Sequence, residues 1–165
     1  MRRLAALAAI LALAGCSTAP DTAAARRAAS PVLTGEVVAV ADGDTLTVLV
    51  EGHDQVKIRL DQIDAPERKQ PYGTASREAL AALCHRQQAS VVVTDVDRYG
   101  RSVGVVTCQD VDANRRQIET GMAWAYRKYL REPGLLEIEA QARALRRGLW
   151  QDDAPVPPWE WRRAR

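Results

Sequence analysis

The chain has 165 residues, 47% hydrophobic and 27% charged, which fits one soluble globular domain and excludes collagen, coiled-coil and wholly disordered chains. Aromatics make up only 5% and Phe is absent, so Val, Leu, Ile and Ala must fill most of the core. The formal net charge is +2, and without Arg2 and Arg3 the charges balance. No global positive field then draws the folded part to nucleic acid; any attraction must come from locally placed Arg and Lys.

Met1-Arg2-Arg3 is a basic start, followed by an unbroken apolar run from Leu4 to Ala14. The run is shorter than the roughly 20 residues of a bilayer span and suits a secretory signal. It ends in Leu13-Ala14-Gly15-Cys16, which resembles the lipobox of bacterial lipoproteins. That resemblance implies a signal over residues 1–15 and a lipid on Cys16. Ser17 follows rather than Asp, which implies an outer-membrane anchor facing the periplasm. Residues 16–31 read as a flexible tether, 32–150 as the folded domain and 151–165 as a Pro-rich, basic tail.

Within the domain, Leu33 to Ala41 and Thr45 to Val50 are β-branched runs joined by the hairpin signal Asp42-Gly43-Asp44. Gln55 to Ile63 alternates apolar and polar residues and completes a three-strand meander. Thr74 to Cys84 is helical, with Ala75, Ala79, Leu80 and Leu83 on its apolar face. Two more strands follow, Ser90 to Val96 and Ser102 to Cys108, joined at Asp97-Arg98-Tyr99-Gly100. Asp112 caps a short helix over Ala113 to Thr120. A last helix begins after Pro133-Gly134, with Leu135, Ile138, Ala142, Leu145 and Leu149 on one face and Gly148 at its close. The predicted class is α+β: a five-stranded OB-fold β-barrel carrying about three helices.

Export to an oxidising compartment favours a disulfide between Cys84 and Cys108; two buried free thiols are the alternative. His53 and His85 are the only histidines and no CxxC spacing exists, so zinc chemistry and Ser-His-Asp catalysis are both disfavoured.

Charged clusters interrupt the scaffold at strand ends. They are Asp42-Gly43-Asp44-Thr45, Arg59-Leu60, Ile63-Asp64-Ala65-Pro66-Glu67 and Asp97-Arg98-Tyr99-Gly100-Arg101. Each alone reads as a turn or a solvated strand face. In this order, with Gln70-Pro71-Tyr72-Gly73, Gly121-Met122-Ala123-Trp124 and Gly148-Leu149-Trp150, they resemble the staphylococcal (micrococcal) nuclease family across roughly residues 33–150.

The resemblance implies a Ca²⁺-dependent endonuclease cutting DNA and RNA, single strands favoured, with little sequence preference and 3′-phosphate products. Asp44 and Asp64 match the family's metal-binding aspartates, with the backbone carbonyl of Ala65, where the best-known member has Thr. Hard carboxylate oxygens suit Ca²⁺. Arg59 and Arg101 match the phosphate-clamping arginines, and Glu67 the general base. Tyr99 and Tyr126 match positions flanking nucleotides. Asp42 resembles a carboxylate next to the metal. Arg68 and Lys69 are candidate backbone contacts, whereas Tyr72 and Tyr129 read equally well as packing. The tail segment Trp159 to Arg165 alternates aromatics with positive charge, suiting packing on the barrel or contact with nucleic acid or anionic lipid. A monomer is expected. The competing reading is a catalytically weak nuclease-like OB module that binds single-stranded nucleic acid or envelope partners; the complete set of Asp44, Arg59, Asp64, Glu67 and Arg101 argues against it.

Overall fold

A computed structural model describes residues 30–164 of the chain. The signal segment, Cys16 and nearly all of the tether lie outside these described residues. Among the described residues no helix is long and apolar enough to cross a membrane.

The chain opens with β1 (Val32–Asp42), β2 (Thr45–Val50) and β3 (Gln55–Leu60), an antiparallel meander. The third strand stops short of the predicted Ile63. Gln62 adopts a left-handed backbone (φ 62°), and the chain turns to form the short strand β4 (Ile63–Asp64). The reason is tertiary: Asp61 is buried, accepting from Thr94 Oγ1 at 3.1 Å and pairing with Arg131, which fixes a corner where sequence alternation suggested continuation.

Helix α1 (Gly73–Cys84) leads to β5 (Gln88–Val96) and β6 (Ser102–Cys108), a second antiparallel pair. β1 pairs with β5 antiparallel, and β3 pairs with β6 parallel from Ile58↔Ser102 to Leu60↔Gly104. Those contacts close β1, β2, β3, β6 and β5 into a ring. Closure leaves no free edge among the five strands, which is how a small barrel avoids edge-to-edge association. The OB-type α+β class is therefore present.

The interior is aliphatic, as composition demanded. Val37, Leu46, Val48, Ile58, Leu60, Leu80, Val91, Val106 and Ile118 are all fully buried. Each such side chain stabilises the fold by ~1.5–3 kcal/mol relative to exposure. On α1 the buried stripe is Ser76, Leu80 and Cys84, whereas Ala75, Ala79 and Leu83 are half-buried. The expected face was rotated because Ser76, a polar residue, packs inward and donates to the Met122 carbonyl at 2.6 Å. Cys84 and Cys108 form a disulfide, with Cα atoms 5.4 Å apart.

After the short strand β7 (Val111–Asp112), helix α2 (Ala113–Glu119) begins with Asp112 accepting from the Arg115 amide. Asn114 locks this helix to the barrel seam: it donates to the Asp61 and Gly104 carbonyls and accepts from the Val106 amide. Strand β8 (Trp124–Ala125) pairs with β4, and α3 (Gly134–Ala144) follows. The last helix ends earlier than its apolar spacing predicts. Arg146 turns left-handed (φ 49°) and Arg147 N–H bonds the Ala142 carbonyl, so Leu145 is left 62% exposed. Leu149 still reaches the interior, from a separate turn (Gly148–Gln151), beside Trp124 and Trp150. A final short helix, α4 (Pro158–Trp161), lies within the tail.

Candidate active site

The β1–β2 turn and the β3–β4 corner bring two carboxylates to one mouth of the barrel. Asp44 pairs with Arg59 at the end of β3: Nη1 lies 2.7 Å from Asp44 Oδ2. The same guanidinium places Nη2 3.1 Å from Asp64 Oδ1, and it also donates to the Ile63 and Leu60 carbonyls. Asp44 Oδ2 further accepts the Ala65 amide at 2.7 Å, tying the turn to the segment after β4. Residues far apart in sequence thus converge within a few ångströms.

Local backbone makes this possible. Gly43 sits where a Cβ would lie 1.8 Å from Ser76 Oγ, so only glycine lets the hairpin turn lie against α1. Gly73 plays the same part for the Glu67 loop, since a Cβ there would meet the Glu67 carbonyl at 2.1 Å. Gln70 completes the loop by accepting the Glu67 amide at 3.1 Å.

Burial without full compensation gives the acids unusual proton affinities. Desolvation, reinforced by Asp44, pushes Asp42 up to about 6. Asp64 is also raised, first by burial and then by Asp44, against the lowering contacts of Arg162 and Arg59. Buried carboxylates crowded in this way call for a cation. Among the described residues no group of three or more His, Cys, Asp or Glu side chains is arranged to hold a metal by itself. The donor chemistry nevertheless fits a hard ion: two buried carboxylates converge, and their neighbour Ala65 carries a backbone carbonyl.

The remaining candidates line the same cleft, a cavity of about 670 Å³. Glu67 stands at its rim, beside Asp64. Arg101 lines it as well, yet points at Asp97 rather than at the carboxylates, with Nε and Nη2 each 2.7 Å from Asp97 Oδ2. Burial would raise the Asp97 carboxyl, but hydrogen bonds from the Arg101 backbone and side chain and from the Tyr99 amide hold it below its ordinary value. Tyr99 also lines the cleft and is 68% exposed, under the Arg98 and Arg101 guanidinium groups. Tyr126 meets Tyr129 edge-on at 5.1 Å, and its ring is stacked on Trp159 at 5.5 Å and 7°. Arg68 instead donates to the Ala41 carbonyl, and Tyr72 packs beside the Trp124–Trp150 cluster.

One group in the cleft was not assigned there from sequence. Arg162, from the tail, sets Nη2 2.7 Å from Asp64 Oδ2 and Nη1 2.8 Å from Glu67 Oε1. The alternating aromatic and basic pattern of the tail was the only signal for it.

The family described as Staphylococcal nuclease homologue matches residues 57–152, more than half of the chain. The chain belongs to the staphylococcal nuclease family. Curated relatives of this nuclease family cover most of its length. It is 44% identical to a protein named ParB from Escherichia coli over 142 residues, 79% of this chain and 80% of that protein. It is 43% identical to a micrococcal nuclease from Shigella flexneri over 141 residues, with the same 79% and 80% coverage. An uncharacterized endonuclease from Haemophilus influenzae is 40% identical over 130 residues, 79% of this chain and 73% of that one. These matches support a nuclease function for this staphylococcal nuclease homologue.

Proposed function

We propose that the protein is a Ca²⁺-dependent endonuclease that hydrolyses DNA and RNA with little sequence preference and leaves 3′-phosphate ends. The observation that carries this reading is the convergence of Asp44 and Asp64 on Arg59 in a cleft that also holds Glu67 and Arg101. Asp44, Asp64 and the Ala65 carbonyl would hold the cation, which when bound neutralises phosphate charge. Arg59 and Arg101 bind the phosphate oxygens; a guanidinium stays charged and offers two parallel donors. Glu67 takes a proton from the attacking water. The water oxygen bonds to phosphorus, the P–O5′ bond breaks, and the leaving 5′ oxygen takes a proton from solvent. Exposed Tyr99 offers a ring face to bases, as does Tyr126 when Trp159 leaves its face, a contact that tolerates any sequence.

On this reading the protein is a monomer carried on the envelope by a lipid at Cys16. Mass spectrometry of the mature N-terminus tests the anchor; an unmodified Cys16 overturns it. The activity is tested by incubating the full chain with single-stranded DNA and, separately, RNA in Ca²⁺. Both are degraded, and EGTA stops the reaction. Degradation indifferent to the chelator overturns the metal assignment.

A further inference from the structure

The C-terminal segment reaches the two features that the proposed reaction most needs. Arg162 grips both oxygens of Asp64, at 3.2 Å (Nη1–Oδ1) and 2.7 Å (Nη2–Oδ2), and shares Nη1 with Glu67 at 2.8 Å. Trp159, three residues earlier, lies flat on the Tyr126 ring. The segment is also pinned upstream, where Gln70 Nε2 donates to the Val156 carbonyl at 2.6 Å. Gln70 accepts the Glu67 amide as well, so one side chain joins the tail to the active-site loop. Pro155, Pro157 and Pro158 stiffen the approach, and Pro158 is buried. This contact is therefore built from a planar fork, a stacked ring, a backbone anchor and a preset chain path.

We propose that this tail is an intramolecular latch that competes with the divalent cation for Asp64, occupies the Glu67 carboxylate, and competes with a nucleotide base for Tyr126. The inference rests on the cation assignment made above for Asp44 and Asp64. Its physical basis is charge and space. Seven acids line the cleft; of these, Asp42, Asp44, Asp64 and Glu67 come from the β1–β2 turn and the segment that starts at β4, and Arg59 pairs with only two of the four. Arg162 supplies a second positive charge on the oxygens that a cation needs, and the two cannot share both Asp64 oxygens. A guanidinium does not deprotonate, so it leaves only by displacement. Because Arg162 and Trp159 lie on one short segment, displacing the first loosens the second. Cation binding thus frees the Tyr126 face, and binding of a base there favours cation binding by the same factor. The closed form holds the nuclease idle where divalent cations are scarce.

The test is calorimetric titration of Ca²⁺ into the full chain without nucleic acid, for wild type, Arg162→Gln and Trp159→Ala. Removing the Arg162 fork tightens Ca²⁺ binding by about fivefold or more. Trp159→Ala leaves every charge in place and still tightens it by ~2–10-fold, because the stack no longer holds the latch shut. Hydrogen exchange of the backbone amides in residues 159–164 of the wild type speeds up when Ca²⁺ is added. Equal Ca²⁺ affinity in all three proteins overturns the latch and leaves the cation site standing. Tightening in Arg162→Gln alone also overturns it, reducing the tail to a nearby charge. Absence of Ca²⁺ binding in every protein sinks the cation assignment and the latch together.

Discussion

Gln117, in the middle of α2, donates its side-chain amide to the Gly43 carbonyl at 2.7 Å, across 74 positions of sequence. The same nitrogen reaches the Ser76 carbonyl at 3.1 Å, so one buried amide clamps the β1–β2 turn to α1. Asp44, the next residue in the turn, takes its position from that clamp. Replacing Gly43 with Ala therefore strains the site from outside it. The new Cβ lies 2.8 Å from both the Ala65 and Ser76 Cβ atoms and closer still to Ser76 Oγ. Gly43→Ala loses ~1–3 kcal/mol in urea unfolding, the ordinary cost of overpacking. Adding Ser76→Ala recovers only part of it, because the Ser76 Cβ remains.

Glu67 is the group whose loss is felt most in turnover. Glu67→Ser slows kcat by about 10²–10⁴-fold while KM changes little, since a base acts in the transition state. Steady-state kinetics on single-stranded DNA checks this, and an unchanged kcat removes Glu67 from the base role.

Arg59 holds Asp44 and Asp64 at once, so its replacement has two separable effects. Arg59→Lys keeps the charge but loses the fork, and kcat/KM falls by at least ~10-fold. In thermal melts without divalent cation the variant is also less stable, as two buried carboxylates lose hydrogen bonds worth ~1.5–3 kcal/mol each when charge-assisted. Adding Ca²⁺ narrows the stability gap but leaves the kinetic one.

Asp97 gives a pH dependence with a defined sign. Its folded carboxyl titrates below the ordinary value of 3.8, because Arg101 and the Tyr99 amide favour the charged form. The stability that it contributes is present above pH 3.8 and disappears as pH falls through the lower, folded value. Asp97→Asn is thus less stable than wild type at pH 7, by up to ~1 kcal/mol for an ion pair near the surface. The two proteins converge at strongly acidic pH. Melting curves at several pH values measure the difference, and a gap constant down to strong acid removes the ion pair as its source.

Reduction tests the covalent staple. The Cys84–Cys108 bridge spans 24 positions and joins the end of α1 to the end of β6. Without it the unfolded chain gains freedom worth ~3 kcal/mol for a loop of this size. Mass spectrometry under non-reducing alkylation finds both thiols blocked, and a reducing agent lowers the denaturant midpoint.

What the sequence determined by itself was local and periodic. The five barrel strands, α1 and α2 followed from alternation, helical spacing and turn chemistry, which depend on neighbours a few residues away. The acids and arginines of the cleft were legible only as an ordered set of motifs resembling the staphylococcal nuclease family, since Asp42-Gly43-Asp44 or Asp64-Ala65-Pro66 alone reads as a turn or strand exit. Tertiary structure decided the rest. The Asp61–Arg131 pair broke the third strand, Ser76 turned inward, and Arg146 closed α3 ahead of Leu145. Arg101 was drawn to Asp97, and Arg162 came to Asp64 across 98 positions. Such outcomes depend on which polar groups meet once the barrel closes, and the energy of a buried charge is set by its partners in space, which periodicity does not encode.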